Sequence, residues 1–157
     1  MMKFKNIVLG LSLGLTACQS TSETDNNYSL SNFEYQLPEN CSIKKSQGME
    51  KLKIVCSSSD SIMIYNFGNR PTNLSSNVER WKNQLDTTLS LSETSYHNNT
   101  VFLYQINGLS DSKETTIMAS IIPSKEGPYF FKSTLNTDNQ KFIEKFKDLV
   151  ESINYKE

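Results

Sequence analysis

Side chains that could act as nucleophiles or bind metals are few in this chain, which has three cysteines and one histidine among its 157 residues. A Ser-His-Asp triad would have to use His97, and no G-x-S-x-G nucleophile elbow occurs in the chain. No H-E-x-x-H motif, Cys/His cluster or glycine-rich phosphate loop is present either. The sequence therefore predicts no catalytic residue, no metal site and no cofactor, and it favours a protein that is not an enzyme. A hydrolase that uses His97 is the weaker alternative.

Cys18 ends the only strongly apolar run of the chain. The run follows a basic segment at residues 1–5, and at roughly ten residues it is too short to cross a bilayer, which takes about 20. This arrangement is typical of a secretory signal. Its last residues, Leu-Thr-Ala-Cys at positions 15–18, resemble the bacterial lipobox. In proteins with that motif the cysteine thiol receives a diacylglyceryl group, a reaction that suits a good nucleophile. The alternative is a plain signal peptide with a coincidental cysteine.

The lipobox resemblance implies an address and a division of the chain. Residues 1–17 are expected to be a signal peptide that is removed, residues 18–31 a lipidated cysteine with a flexible polar tether, and residues 32–157 a single domain. Several acyl chains on Cys18 would make a durable membrane anchor. In enterobacterial sorting an aspartate after the cysteine retains a lipoprotein in the inner membrane, and Gln19 stands there instead. The resemblance therefore implies the periplasmic side of the outer membrane.

The charge of the mature chain bears on its partners. Removal of residues 1–17 leaves 14 basic and 17 acidic side chains, a net charge of −3. This balance argues against nucleic acid as a partner, because nucleic acids select a basic face. It also argues against electrostatic attraction to anionic lipid, so the acyl chains are expected to hold the membrane alone.

Cys41 and Cys56 remain in the expected mature chain. An exported protein passes through an oxidising compartment, where an even pair of cysteines favours a disulfide. A metal site or a redox pair is the alternative, but the chain has no C-x-x-C motif and its histidine is distant in sequence.

Hydrophobic periodicity predicts the strands. Alternation predicts strands at 33–37, 50–57 and 62–66 and a hairpin over 91–106 with its turn at Tyr96–Thr100. Asn107-Gly108 is expected to end the second strand of that hairpin and to open a polar loop. Two more strands are predicted at 116–122 and 129–135.

Two helices are predicted from capping boxes and apolar stripes. The first is expected to begin with Ser76 as its cap, and the second with Thr137 as its cap. The second helix carries the broadest apolar face of the chain, formed by Phe142, Ile143, Phe146, Leu149, Val150 and Ile153.

The predicted fold class is α+β, an antiparallel sheet of about six or seven strands covered by two helices. Short connections favour antiparallel pairing, and helices with one apolar face need a sheet to cover. The stretches N-V-E-R-W-K-N-Q-L, A-S-I-I-P, G-P-Y-F-F-K and F-K-D-L-V-E-S-I resemble a group of uncharacterised exported bacterial proteins and lipoproteins. That group is similar to the PsbP-like α/β/α sandwich, and the resemblance implies this fold without implying any catalytic residue.

One constellation could form an interaction patch: Arg80, Trp81, Tyr129 and Lys132. Together on the surface, these residues could bind the backbone of a partner or a ligand. The alternative, which the pattern favours, places the aromatic side chains in the core and the cations in solvent. The functional expectation is a lipid-anchored envelope protein that binds or helps assemble a membrane or periplasmic partner. A module that binds a small ligand or lipid is the alternative.

Overall fold

The computed structural model describes residues 30, 32–46, 48–69, 73–96 and 101–156. The predicted signal segment, Cys18, nearly all of the predicted tether and His97 lie outside these residues. The described residues form nine strands and two helices: β1 (Phe33–Glu34), β2 (Ser42–Lys45), β3 (Leu52–Val55), β4 (Ser61–Asn66), α1 (Leu74–Lys82), β5 (Thr87–Tyr96), β6 (Val101–Ser110), β7 (Lys113–Ile122), β8 (Tyr129–Asn136), α2 (Gln140–Ser152) and β9 (Asn154–Tyr155).

Seven strands form one antiparallel sheet in the order β2-β3-β4-β8-β7-β6-β5. The short strands β1 and β9 pair with each other in a separate two-stranded sheet. The predicted fold class is confirmed: the protein is α+β, with a seven-stranded antiparallel sheet and two helices. The two edges of the large sheet are β2 and β5.

The sheet is covered on both faces because neighbouring residues of a strand point to opposite sides. In β8, Tyr129 and Phe131 belong to the core cluster that contains the side chains of α2, whereas Phe130 belongs to the cluster that contains those of α1. We call these two sides the α2 face and the α1 face. The α2 face also receives Leu30 and Phe33 from the N-terminal segment.

Helix α2 packs on its face through the stripe that the sequence predicts. All six apolar residues of the predicted stripe are buried, none more than 2% exposed. Burial of each large apolar side chain stabilises the fold by about 1.5–3 kcal/mol. These six side chains therefore hold α2 firmly on the α2 face.

Both predicted helix caps are wrong by two or three residues. Asn73 caps α1 and accepts a hydrogen bond from the Ser76 N–H at 3.0 Å, so Ser76 lies inside the helix. Asn139 caps α2 and accepts from the Phe142 N–H at 3.3 Å, where Thr137 was expected. Asparagine is as good a cap as serine or threonine, and a capping box alone does not choose between adjacent candidates.

The predicted break at Asn107-Gly108 is also wrong. Strand β6 continues to Ser110, and β7 starts at Lys113 after a two-residue turn. Both turn residues, Asp111 and Ser112, have positive φ angles, of 50° and 61°. Such a turn matches the twist of the strands it connects. The sequence does not reveal this turn, because the usual signal for a two-residue hairpin turn is Asn-Gly or Asp-Gly.

The structure differs from the prediction at the N-terminal strands as well. Only Phe33–Glu34 of the predicted strand 33–37 is extended in a ladder, and it pairs with β9 instead of entering the large sheet. The edge position is taken by β2, which the sequence did not predict because only Ile43 gives it an apolar signal.

The predicted disulfide is confirmed: Cys41 and Cys56 are bonded. Cys41 immediately precedes β2 and Cys56 immediately follows β3, next to the paired residues Ser42 and Val55. The bond therefore closes the open end of the β2–β3 hairpin and fixes the short edge strand to its neighbour.

Candidate functional site

The four residues of the predicted patch do not share a surface. Trp81 is 5% exposed in the α1 cluster, with its ring centroid 5.7 Å from that of Tyr104. Tyr129 is buried on the α2 face, edge-on to Phe33 at 4.9 Å. Tyr129 and Lys132 are three residues apart in one strand, which places them on opposite sides of the sheet.

The two cations of that patch are on the surface, in different settings. Arg80 is exposed on α1. Lys132 is half-buried on the α1 face, and its Nζ donates a hydrogen bond to Oε1 of Gln84 just after α1. Burial lowers the pKa of Lys132 below its ordinary value. Trp81 and Tyr129 are therefore core residues, as the alternative interpretation held, and the proposed patch does not exist as a unit.

The most distinctive exposed element is the edge strand β5, T-T-L-S-L-S-E-T-S-Y. One edge of β5 pairs with β6, and no strand of the described residues pairs with the other. Leu89 is 62% and Leu91 46% exposed. Edge strands are normally protected by charged side chains, proline or bulges, and β5 has no lysine or proline and one charged residue, Glu93. A bulge at Thr88–Ser90 interrupts its ladder near the start, which leaves residues 90–96 regular.

A groove of about 320 Å³ lies beside β5 on the α1 face. Side chains of α1 line one side of it, and side chains of β5 and β6 line the other. Its lining combines apolar side chains with two carboxylates: Leu74, Ser75, Val78, Glu79, Leu91, Glu93 and Tyr104.

The electrostatics of the groove are acidic. Burial raises the pKa of Tyr104, and the charge of Glu93 and a hydrogen bond to it raise it further. Glu79 is paired with Lys82 at 2.8 Å. No basic group of the described residues lies within ion-pairing distance of Glu93. The carboxylate of Glu93 can therefore attract a cationic side chain of another molecule.

This arrangement is suited to binding an extended segment. A strand that paired with the open edge of β5 would satisfy its free N–H and C=O groups, and alternate side chains of that strand would point toward the groove. Within the described ranges no group of three or more His, Cys, Asp or Glu residues could hold a metal ion. No helix in those ranges is long and apolar enough to cross a membrane.

Sequence analysis missed this site although part of its signal was visible. Leu89 and Leu91 alternate with serine and threonine, a period-2 pattern that predicts a strand. What the pattern does not reveal is the position of that strand in the sheet. Only the topology shows that β5 is an edge and that α1 lies beside it.

The chain matches no protein-family model and no curated protein sequence. The resemblance to exported bacterial proteins and to the PsbP-like fold stays a prediction.

Proposed function

We propose that this protein is a lipid-anchored protein of the bacterial envelope that binds a partner protein along β5 and is not an enzyme. The observation that carries the proposal is the open edge of a ten-residue strand next to a groove. The main-chain groups of the edge would supply affinity, and the groove would select the side chain that enters it.

The anchor is supported by the lipobox-like Leu-Thr-Ala-Cys and by the short segment that connects Cys18 to the domain. Leu30 is 3% exposed in the core cluster of the α2 face, so the chain enters the domain at a defined point. Eleven residues separate Cys18 from Leu30 (residues 19–29), so the two ends of this segment are at most about 40 Å apart when it is extended. The domain would therefore work close to the membrane surface.

The chemistry of the groove specifies the partner segment. It must be extended in order to pair with β5 and must carry an apolar side chain for the surface formed by Leu74, Val78 and Leu91. A lysine or arginine nearby would pair with Glu93. Because Leu91 and Glu93 lie on the same face of β5, we expect an extended segment with an apolar and a basic residue two positions apart.

Photo-crosslinking in living cells tests the binding site. A photoreactive amino acid is placed at Leu91, and in a matched variant at Ser42, which is exposed on the opposite edge strand. We expect a discrete adduct from position 91 only, and mass spectrometry should map it to an extended segment with basic and apolar residues. Equal adducts from both positions, or adducts that map to helical or acidic segments, would contradict the proposal.

The mass of the mature protein tests the anchor. We expect a species that begins at Cys18 and carries the added diacylglyceryl mass. The Cys18→Ala variant should keep its signal segment and lose membrane retention after alkaline extraction. A mature species that retains Met1 or lacks the glyceride would refute the anchor and leave the β5 site to be judged by crosslinking.

The alternative, a module for a small ligand or lipid, is favoured by the groove alone. Its volume of about 320 Å³ falls at the lower end of ligand pockets, which span roughly 300–1,000 Å³. Leu91→Trp would fill the groove but keep the edge hydrogen bonds. Loss of a copurifying small molecule in this variant, with the crosslinked adduct retained, would favour the alternative.

A further inference from the structure

A single row of side chains crosses the whole sheet on the α1 face. Cross-strand pairing places its members in register from one edge strand to the other: Lys44, Lys53, Met63, Lys132, Ala119, Tyr104 and Glu93. The row begins with three lysines among four positions and ends with Glu93. Because adjacent strands are about 4.8 Å apart, the lysines form a narrow cationic band, which we call the lysine row.

The lysine row has no internal counter-charge. Among the described residues none of its three lysines forms an ion pair within 4.0 Å. Lys132 reaches only a neutral amide, that of Gln84. The charge of Lys53 does act on the carboxylate of Glu50, whose pKa is lowered by a hydrogen bond from Ser46, by its own backbone and to a smaller degree by Lys53.

The band is open because α1 is short. The nine residues of α1 pack with side chains of β6, β7 and β8. No described helix packs on β2 or β3 on this face, and Lys53 and Met63 are only partly buried there. Tyr65 of β4 is also partly buried and packs at the rim of the cluster that contains α1. The side chain of Met63 lies between the cations and gives the surface an apolar centre. Its Sδ accepts a hydrogen bond from the Tyr65 hydroxyl at 3.2 Å.

We infer that the lysine row binds an acidic segment of a protein partner, with a carboxylate at Lys132 and an apolar side chain over Met63. The positive charge of the three lysines favours an acidic partner segment. Because Lys132 is half-buried beside Gln84 at the end of α1, a protruding side chain is better suited to reach it than a flat bilayer. This site is separate from the β5 groove and does not depend on the proposed function.

Fluorescence anisotropy with the full chain purified in detergent tests the inference. The probe is a fluorescein-labelled peptide of alternating glutamate and alanine, and the comparison peptide alternates glutamine and alanine. We expect binding of the acidic peptide alone, with an affinity that falls as salt rises. Lys132→Met should weaken it about tenfold because a partly desolvated charge pair is lost.

Matched variants separate a site from general charge. Lys113→Gln removes one positive charge at the far end of β7 and should leave binding unchanged, whereas Lys53→Gln should weaken it. Lys132→Arg keeps the charge and should restore most of the affinity, which a loss caused only by misfolding would not show. Equal effects of the Lys113 and Lys53 variants, or no binding at all, would overturn the inference.

A second measurement addresses the bilayer as occupant. The full chain is incubated with phosphatidylcholine vesicles with or without phosphatidylglycerol, and lysines are acetylated and mapped by mass spectrometry. We expect Lys53 and Lys132 to react equally in both vesicles and to be protected only by the acidic peptide. Protection by phosphatidylglycerol without peptide would assign the lysine row to the membrane and refute a protein partner.

Discussion

At the scale of single residues, the start of helix α1 offers two side chains that could serve as its N-cap. Asn73 lies outside α1 with an extended backbone, and its side chain satisfies a free N–H of the first turn. Ser76 is exposed within the helix, where it has no capping role. The two candidates are three residues apart, and only geometry distinguishes them.

A pair of alanine substitutions tests this assignment. Asn73→Ala should lower the free energy of unfolding by about 1 kcal/mol, the usual loss for an N-cap. Ser76→Ala should be neutral or slightly stabilising, because alanine is the better helix former. Urea unfolding of both variants measures the difference. A larger loss in the Ser76 variant would restore the cap that the sequence predicted.

Tyr104 reports on the charge in the groove. Burial and Glu93 both raise its pKa, so Glu93→Gln should lower that pKa while leaving it above the ordinary value of about 10. Glu79→Gln is the control, since Glu79 is paired with Lys82. NMR titration of ring-labelled tyrosine gives the measurement. An unchanged pKa in the Glu93 variant would show that the Glu93 carboxylate does not lie beside Tyr104 in the groove.

The same shift has a consequence for stability. The folded-state pKa of Tyr104 is raised above that of the unfolded chain, so the unfolded state loses its proton first as pH rises. The contribution of Tyr104 is therefore present below about pH 10 and is lost as pH rises through the folded-state pKa. Tyr104→Phe should flatten the alkaline decline of stability.

At the scale of elements, the β6–β7 hairpin shows where sequence patterns stop being informative. Gly108 would usually end a strand, yet here a Cβ at this position would collide with the carbonyl oxygen of Thr87 in β5. Glycine is required for close strand approach rather than for a turn. The actual turn, Asp111-Ser112, is supported by an N–H of Asp111 that donates to Oδ2 of Asp86 at 2.7 Å.

Glycine at the turn should stabilise this hairpin. Ser112 has a φ of 61°, a region that costs an L-residue roughly 1 kcal/mol or more and glycine almost nothing. Ser112→Gly should therefore raise the free energy of unfolding by about 0.5–1 kcal/mol, whereas Ser112→Ala should be nearly neutral. Thermal or urea unfolding tests both. A destabilised glycine variant would contradict the turn.

The disulfide stabilises the weakest edge of the sheet. It links residues 15 apart in sequence, for which chain entropy predicts about 3 kcal/mol. The double variant Cys41→Ser/Cys56→Ser should lose about this amount in urea unfolding, and reduced wild-type protein should match it. A loss below about 1 kcal/mol would mean that β2 is held by its ladder alone.

Sequence patterns predicted the long elements and missed the short ones for a physical reason. Helix α2 and strands β7 and β8 bury continuous apolar surface, which leaves a strong periodic signal. Strand β2 has four residues and one apolar side chain, so hydrogen bonds to β3 and the disulfide decide its place. The groove and the lysine row depend on strand order, which periodicity does not encode.

At the scale of the whole molecule, the distribution of charge matters more than its sum. A net charge of −3 for the expected mature chain predicts no attraction to anions, yet three lysines share one row of the sheet. Charges farther apart than about 8 Å act separately at physiological salt. The two ends of the α1 face can therefore attract partner segments of opposite charge at the same time.

The central claim is that β5 is an open edge which a partner strand occupies at the membrane. Amide hydrogen exchange on the full chain, in native membranes and after purification in detergent, tests it most directly. We predict that the N–H groups of residues 90–96 that point away from β6 exchange slowly in membranes and fast after purification, while β2, the other edge, stays the same. Equal exchange of residues 90–96 in both states would contradict the account.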